Sequence, residues 1–357
     1  MTRQPPPEVA TLIADAIGRR VTPGAVVETG GLDGPWWRLA AGRHTYAADA
    51  PAVTGDTVYD LASLTKVIAT TTLAMDAASA GALPLDTPLR ARLTGFGDGP
   101  AIAIRDLLEH AGGFPAHRPF YQAVAGRRGV LAGIAATPLT YAPRTRSEYT
   151  DLGFILLGAL LEDAGGASLS AQFEAFVAEV LGPVDLAFGA RDAWRARVAP
   201  TSVDAWRGRV LAGYVHDANA AALGGAAGHA GLFGTASAVG AFARWALALW
   251  SGASPGWRAA TPDTMGYFAR RGTVPGSSRA LGWDTMLPTS SCGPRMSPRA
   301  IGHTGFTGVS LWIDPDRALY AVCLTNRVHP SIDGHPIGPL RVAIHDAILT
   351  WADRGAR

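Results

Sequence analysis

Lysine is almost absent from this chain of 357 residues. Lys and Arg together number 31, yet only one of them, Lys66, is lysine. Where a positive charge merely solvates a surface, this sequence writes arginine. Its one lysine therefore marks a place where arginine fails. The difference is the proton: a guanidinium keeps its proton in a protein, whereas a lysine ammonium can be tuned to release it. A base or a proton relay is the chemistry that needs this. Cysteine is scarce as well. Cys292 and Cys323 allow one disulfide at most and exclude a disulfide framework. Cys323 lies in the apolar run Leu319 to Leu324, where a small buried thiol is expected. Charge is sparse, at 17% against the usual ~25%, and 48% hydrophobic residues exclude disorder as the main state. The net charge is only +2, and basic pairs such as Arg19-Arg20 and Arg127-Arg128 are isolated. No basic stripe interleaved with aromatics points to nucleic acid. No apolar run approaches the ~20 residues of a membrane span. The first twenty residues also lack the apolar core of a signal peptide. A soluble, cytoplasmic protein acting on a small-molecule or peptide substrate is the expectation.

What is present is a change of period along the chain. Val9, Leu12, Ile13 and Ile17 share one helical face within 8–20. Short apolar runs at 25–27 and 36–39, set off by Gly30-Gly31 and Gly34-Pro35, read as strands. Residues 64–80 read as a central, mostly apolar helix. From about 85 to 250 the pattern is helical, with helices expected at 104–110, 128–136, 152–164, 170–181 and 235–250, the last with Thr235 as N-cap. After Gly252 strands are expected at 280–284, 306–313 and 318–326, and 340–354 closes the chain as an amphipathic helix. This order predicts an α/β (α+β) fold: an antiparallel sheet flanked by the terminal helices, with a large all-helical insertion. The expected division is 1–84 plus 252–357 for the sheet domain and 85–251 for the insertion, with a cleft between them.

Three constellations carry chemistry. In Ser63-Leu64-Thr65-Lys66, positions i and i+3 share a helix face. The lysine then stands beside the serine hydroxyl, and the helix N-terminus favours an oxyanion. Sixteen serines among 357 residues give a random lysine about a one-in-22 chance of such a neighbour. Tyr149-Thr150-Asp151 stands at the mouth of the helix expected from Leu152. Near a cationic lysine the phenol can take a proton; an aromatic packed before an Asp N-cap is the plain alternative. His303-Thr304-Gly305 precedes a strand, and its glycine lets substrate approach a strand edge. The N–H groups of Ser63 and Phe306 would form an oxyanion hole.

Together, Ser-x-x-Lys, Tyr-x-Asp and His-Thr-Gly in this order resemble the penicillin-recognising serine enzymes. More narrowly, the arrangement resembles class C β-lactamases, D-Ala-D-Ala carboxypeptidases and their related esterases. Tyr59 to Lys66, Ile104 to His110, Tyr149 to Gly158, Gly228 to Phe233 and Gly302 to Pro315 support it, so it spans about 55–325. The resemblance implies a β-lactamase/transpeptidase-like fold with the site between its two parts. It makes Ser63 the nucleophile, Lys66 its proton partner and Tyr149 the shared base and acid. Asp151, His303, Thr304 and Gly305 would contact substrate, as would His229, for which a structural role in a Gly-rich loop is an equal alternative. Two departures stand out. Asp151 replaces the usual Asn, which would favour a charged Lys66. His303 replaces the lysine usual in β-lactamases, which weakens attraction for a β-lactam carboxylate.

The reading is a serine hydrolase working through an acyl-enzyme on an ester or a peptidoglycan-type peptide. A true β-lactamase, or an inactive binding protein on the same fold, are the alternatives. Gly252-Ala253-Ser254-Pro255-Gly256 mimics a nucleophile elbow. It follows a helix rather than a strand, however, and Pro255 lacks the N–H an oxyanion hole needs. His216-Asp217 has no metal spacing, so neither metal nor cofactor is expected.

Overall fold

The computed structural model describes residues 3–97, 101–124, 126–254, 256–334 and 336–355. Alternating apolar residues from the two ends of the chain build its main sheet. Six antiparallel strands, β1 (Gly24–Gly31), β2 (Gly34–Gly42), β3 (Asp284–Thr285), β4 (Ile301–Thr304), β5 (Ser310–Asp314) and β6 (Leu319–Thr325), lie in the order β2-β1-β6-β5-β4-β3. In the inner pair, Val26 faces Leu324 and Val27 faces Cys323. Successive side chains of a strand point to opposite faces. Val27, Ala321 and Cys323 thus enter one core, and Val26, Val322 and Leu324 another. Helices α1 (Pro7–Gly18) and α5 (Gly338–Gly355) cover the first face with Val9, Ile13, Ile344 and Ile348. On the second face lies the long helix α4 (Ala236–Trp250), with Val239, Phe242 and Ala246. Both cysteines are free and buried.

α4 approaches the sheet closely because Gly240 has no side chain. A Cβ there would strike the Glu28 carboxylate and come within 3.0 Å of the Tyr320 hydroxyl. Glu28 is fully buried and satisfied: Tyr320 donates to it at 2.8 Å and the Arg38 Nε–H at 2.7 Å.

The remaining helices gather beside this sandwich. A π-helical segment, Lys66–Thr71, runs into α2 (Thr72–Ser79), and α3 (Leu152–Gly165) buries every residue from Leu152 to Leu161. Among the described residues no single helix is long and apolar enough to cross a membrane. The middle of the chain also carries short strands that its sequence does not announce. Leu186–Phe188 and Leu232–Gly234 join Tyr59–Asp60 in a three-stranded sheet, and Val203–Asp204 pairs with Arg209–Val210. Two or three residues are too few to establish a period of two.

Two of the expected strands are shorter than anticipated. The run 306–313 becomes β5 only from Ser310, because a turn intervenes. Gly305 N–H donates to the Val309 carbonyl at 2.8 Å, Gly308 N–H donates to the Gly305 carbonyl at 3.0 Å, and Gly308 sits at φ +111°. His303 and Thr304 therefore end a strand of their own, β4. The run 280–284 reduces to β3, because Gly282 at φ +86° breaks the extended backbone.

Candidate active site

Ser63 lies in the turn that feeds the π-helical segment. The turn begins with a strained residue, Ala62 at φ +46°. The buried Asp60 carboxylate holds it, accepting the Ala62 N–H at 2.8 Å and, from a distant loop, the His216 N–H at 2.6 Å. Burial first of all pushes the Asp60 carboxyl up to about 6, against those hydrogen bonds. The end of β4 packs directly on this turn. A Cβ on Gly305 would strike the Val309 side chain and lie 2.8 Å from the Leu61 carbonyl. Gly305 therefore has a packing role against the Ser63 turn.

Lys66 is fully buried. Its ammonium donates to Ser63 Oγ at 2.9 Å, to Asp151 Oδ1 at 2.7 Å and to the His229 carbonyl at 3.2 Å. An ammonium has three donors, and all three are used. Burial alone would lower the Lys66 pKa, but the Asp151 carboxylate, joined by Tyr149, reverses this and holds it above the ordinary lysine value. The reciprocal effect appears at Asp151. Burial would raise its pKa, but the Lys66 charge, then the His117 ring, bring it well below the carboxylate range. Asp151 makes no N-cap hydrogen bond to α3; its carboxylate turns to the lysine instead. Its second oxygen lies 3.9 Å from His117 Nδ1, on a side chain half exposed to solvent.

The Tyr149 hydroxyl lies 2.7 Å from Ser63 Oγ, and the Lys66 Nζ lies 4.9 Å from the centre of its ring. The ring sits between histidines, with centroids 4.8 Å from His110 and 5.8 Å from His303. The guanidinium of Arg279 stands 5.3 Å from the same ring. His110 accepts the Thr150 N–H on Nδ1 at 3.2 Å. His303 Nδ1 lies 2.7 Å from the Thr304 carbonyl, which can only accept, so that nitrogen carries the proton. Burial, then Arg279 and Lys66, keep the His303 pKa well below the imidazole value. The buried His303 Nε2 has no hydrogen-bond partner among the described residues, and a neutral ring attracts a carboxylate only weakly. Thr304 lines the cleft beside it.

The His229 side chain is buried. Its Nε2 lies 2.8 Å from Asp217 Oδ1, so Asp217 pairs with His229 rather than with its neighbour His216. Gly228 presses its loop onto α3, since a Cβ there would strike the Phe154 carbonyl, and Thr70 donates to the Gly228 carbonyl at 2.6 Å.

These groups open into one cleft of about 1160 Å³. Ser63, Tyr149, Asp151, His229 and His303 to Phe306 line it together with Arg279, His117 and Asp217. Among the described residues neither the Ser63 nor the Phe306 amide donates to another protein group. Sequence reasoning did not single out Arg279, His117, His110 or Asp60. Arg279 is one of 30 arginines and carries no local mark. The nucleophile-elbow mimic is elsewhere: Ser254 follows α4 on the far side of Ser251, and Pro255 lies outside the described residues.

The family model described as Beta-lactamase matches residues 9–343. A protein of Escherichia coli O157:H7 named "Putative D-alanyl-D-alanine carboxypeptidase" is 32% identical over 321 residues, which cover 80% of this chain and 72% of that protein. Two solved structures share the fold. "EstCE1, a hydrolase with promiscuous acyltransferase activity" superposes with a TM-score of 0.75 at 22% identity, covering 96% of this chain and 98% of its own. A penicillin-binding protein homolog from Caulobacter crescentus superposes with a TM-score of 0.74 at 21% identity, covering 96% of each chain.

Proposed function

Because the chain belongs to the Beta-lactamase family, we propose that Ser63 is the nucleophile of a serine hydrolase that forms an acyl-enzyme from an ester or a peptidoglycan-type peptide. The observation that carries this reading is the convergence of Lys66 Nζ at 2.9 Å and Tyr149 OH at 2.7 Å on Ser63 Oγ. A nucleophile needs a proton acceptor within about 2.6–3.2 Å, and two candidates lie in that range.

Their division of labour follows from charge. Lys66 is pinned as an ammonium by Asp151, so it acts as a fixed positive charge and proton relay. Its ammonium stands 4.9 Å from the centre of the Tyr149 ring, and Tyr149 acts as the base in its deprotonated form. With the phenolate formed, the 2.7 Å contact carries the serine proton towards Tyr149. Ser63 Oγ then attacks the substrate carbonyl carbon, and its proton passes to the Tyr149 oxygen. The N–H groups of Ser63 and Phe306 hold the oxyanion. On collapse the bond to the leaving group breaks, and Tyr149 returns the proton to the departing oxygen or nitrogen. Water then attacks the acyl-enzyme along the same proton path in reverse. Asp151, His229 and Thr304 line the substrate side. His303 shapes the wall by packing and not by charge.

Intact-mass measurement of acylation tests the assignment, with p-nitrophenyl esters, D-Ala-D-Ala peptides, β-lactams and a fluorophosphonate as probes. Wild type is expected to gain one adduct, and Ser63→Ala none. Adducts that persist in Ser63→Ala would sink the nucleophile; a wild type inert to every probe would favour the binding-protein alternative.

A further inference from the structure

Folded surfaces seldom expose large apolar side chains together, and a cluster of them marks a binding surface. Val203, Phe306 and Ile332 stand 59, 52 and 48% exposed, and all three line the cleft that holds Ser63. Trp206, Val210 and Tyr214 are exposed on the same arm of chain that carries Val203. Among the described residues only two other large hydrophobics, Leu32 and Tyr267, are exposed, and neither lines the cleft.

The surface is built rather than incidental. The Val203 N–H donates to the Pro330 carbonyl at 2.9 Å, joining the arm to the loop that bears Ile332. Arg207 fixes the arm from within, donating to Asp204, to the Val215 carbonyl and to the His216 carbonyl. The Phe306 ring lies 5.5 Å from the His216 ring, and the Arg327 Nε–H donates to the Phe306 carbonyl at 3.1 Å. The Arg327 guanidinium also stands 4.9 Å from the centre of the Phe306 ring, and Phe306 lines the same cleft as Ser63. The amide of Val203 is already engaged by Pro330, so this wall offers no backbone donor there to a peptide. It offers apolar side chains.

We propose that this wall binds an apolar chain of the substrate, the acyl or alkyl chain of an ester, laid from the Ser63–Phe306 corner along Val203 and Ile332. This rests on the hydrolase reading above and names its substrate class. An ester with a medium-length chain is therefore preferred over a short ester and over a D-Ala-D-Ala peptide.

The test is kcat/KM for two ester series. One lengthens the acyl side, from p-nitrophenyl acetate to octanoate, and the other the alcohol side, from ethyl acetate to octyl acetate. In wild type at least one series is expected to rise about tenfold, because added methylenes leave water. The series that rises tells which side of the scissile bond the wall serves. In Val203→Ser/Ile332→Ser that long-to-short ratio is expected to fall about fivefold or more, whereas Leu32→Ser leaves it unchanged. Flat or falling profiles in both series, with Ser63 still acylated, overturn the wall and leave the hydrolase reading standing. A D-Ala-D-Ala peptide with higher kcat/KM than the best long ester overturns it too. So does a double variant with an unchanged ratio that turns a dimer into a monomer by light scattering, since the patch would then face a second copy. Absence of acylation by every ester in wild type is the distinct failure of the hydrolase reading.

Discussion

An ammonium whose three hydrogens are all accepted, and whose strongest acceptor is a carboxylate, cannot readily serve as a base. Lys66 is in this position, with Asp151 at 2.7 Å. Because the lysine pKa is raised and the carboxyl pKa lowered, the pair is ionised on both sides across the neutral range. Its stabilisation is lost only as pH rises through the raised lysine value or falls through the lowered aspartate value. In Asp151→Asn the carboxylate is gone, so Lys66 holds its proton less tightly. The alkaline limb of the kcat/KM profile, where the ammonium is lost, is expected to move to lower pH, and a profile superimposable on wild type would contradict the fixed-charge role. The geometry of this site was largely legible from the sequence. Ser63, Lys66 and Tyr149 are residue types the chemistry demands, and the first two sit at helical spacing. Asp60 and His117 act through contacts with groups distant in the chain or through a single loop position, so no local pattern announced them. Arg279 was hidden by its own abundance as a type. The burial of His303 and its nearness to Arg279 are likewise features that a three-residue motif does not display.

At the scale of elements, spacing decides what packs. α4 reaches the sheet only where Gly240 clears the Glu28 carboxylate. Gly240→Ala would drive a methyl into a satisfied, buried acid. Overpacking of this kind costs about 1–3 kcal/mol, beyond the slight gain in helix propensity that Ala brings. Urea unfolding is expected to show a midpoint lowered by a corresponding amount; an unchanged midpoint would mean that the helix shifts freely over the sheet. The long elements were readable because their apolar period extends over several turns or several alternations. α1, α3 and α5 follow the expected spans closely, and Thr235 caps α4 as anticipated, accepting the Ala238 N–H at 3.2 Å. The π-helical segment Lys66–Thr71 was not readable. Every one of its residues is buried, so no polar face revealed its period. Strand ends near Gly282 and Gly308 depended on positive φ values, which glycine permits but does not require.

At the scale of the molecule, the site is a junction of stretches far apart in sequence, and Asp60 is one of its knots. Its side chain accepts from the Ser63 turn and from the His216 loop, and its backbone carbonyl accepts from Thr307 at 2.8 Å. With its carboxyl pushed from 3.8 up to about 6, the folded protein binds this proton more tightly than the unfolded chain does. The sign follows: this group's contribution to stability falls as pH rises from about 4 to about 6 and is level beyond. In Asp60→Asn that slope disappears. The advantage of wild type over the variant in urea unfolding is expected to shrink by about 2 kcal/mol between pH 4.5 and 7. An advantage that stays constant or grows would mean that Asp60 is ionised throughout.

The solitary lysine has one more consequence, and it concerns proteolysis. A lysine-specific protease can cut this chain at one peptide bond, the one after Lys66. That bond lies within the buried π-helical segment at the centre of the site. Arginine-specific cleavage, by contrast, has 30 targets spread along the chain. The fold thus contains its own single-event reporter. The rate of lysine-specific scission measures how often the buried segment around Lys66 opens, undisturbed by fraying anywhere else.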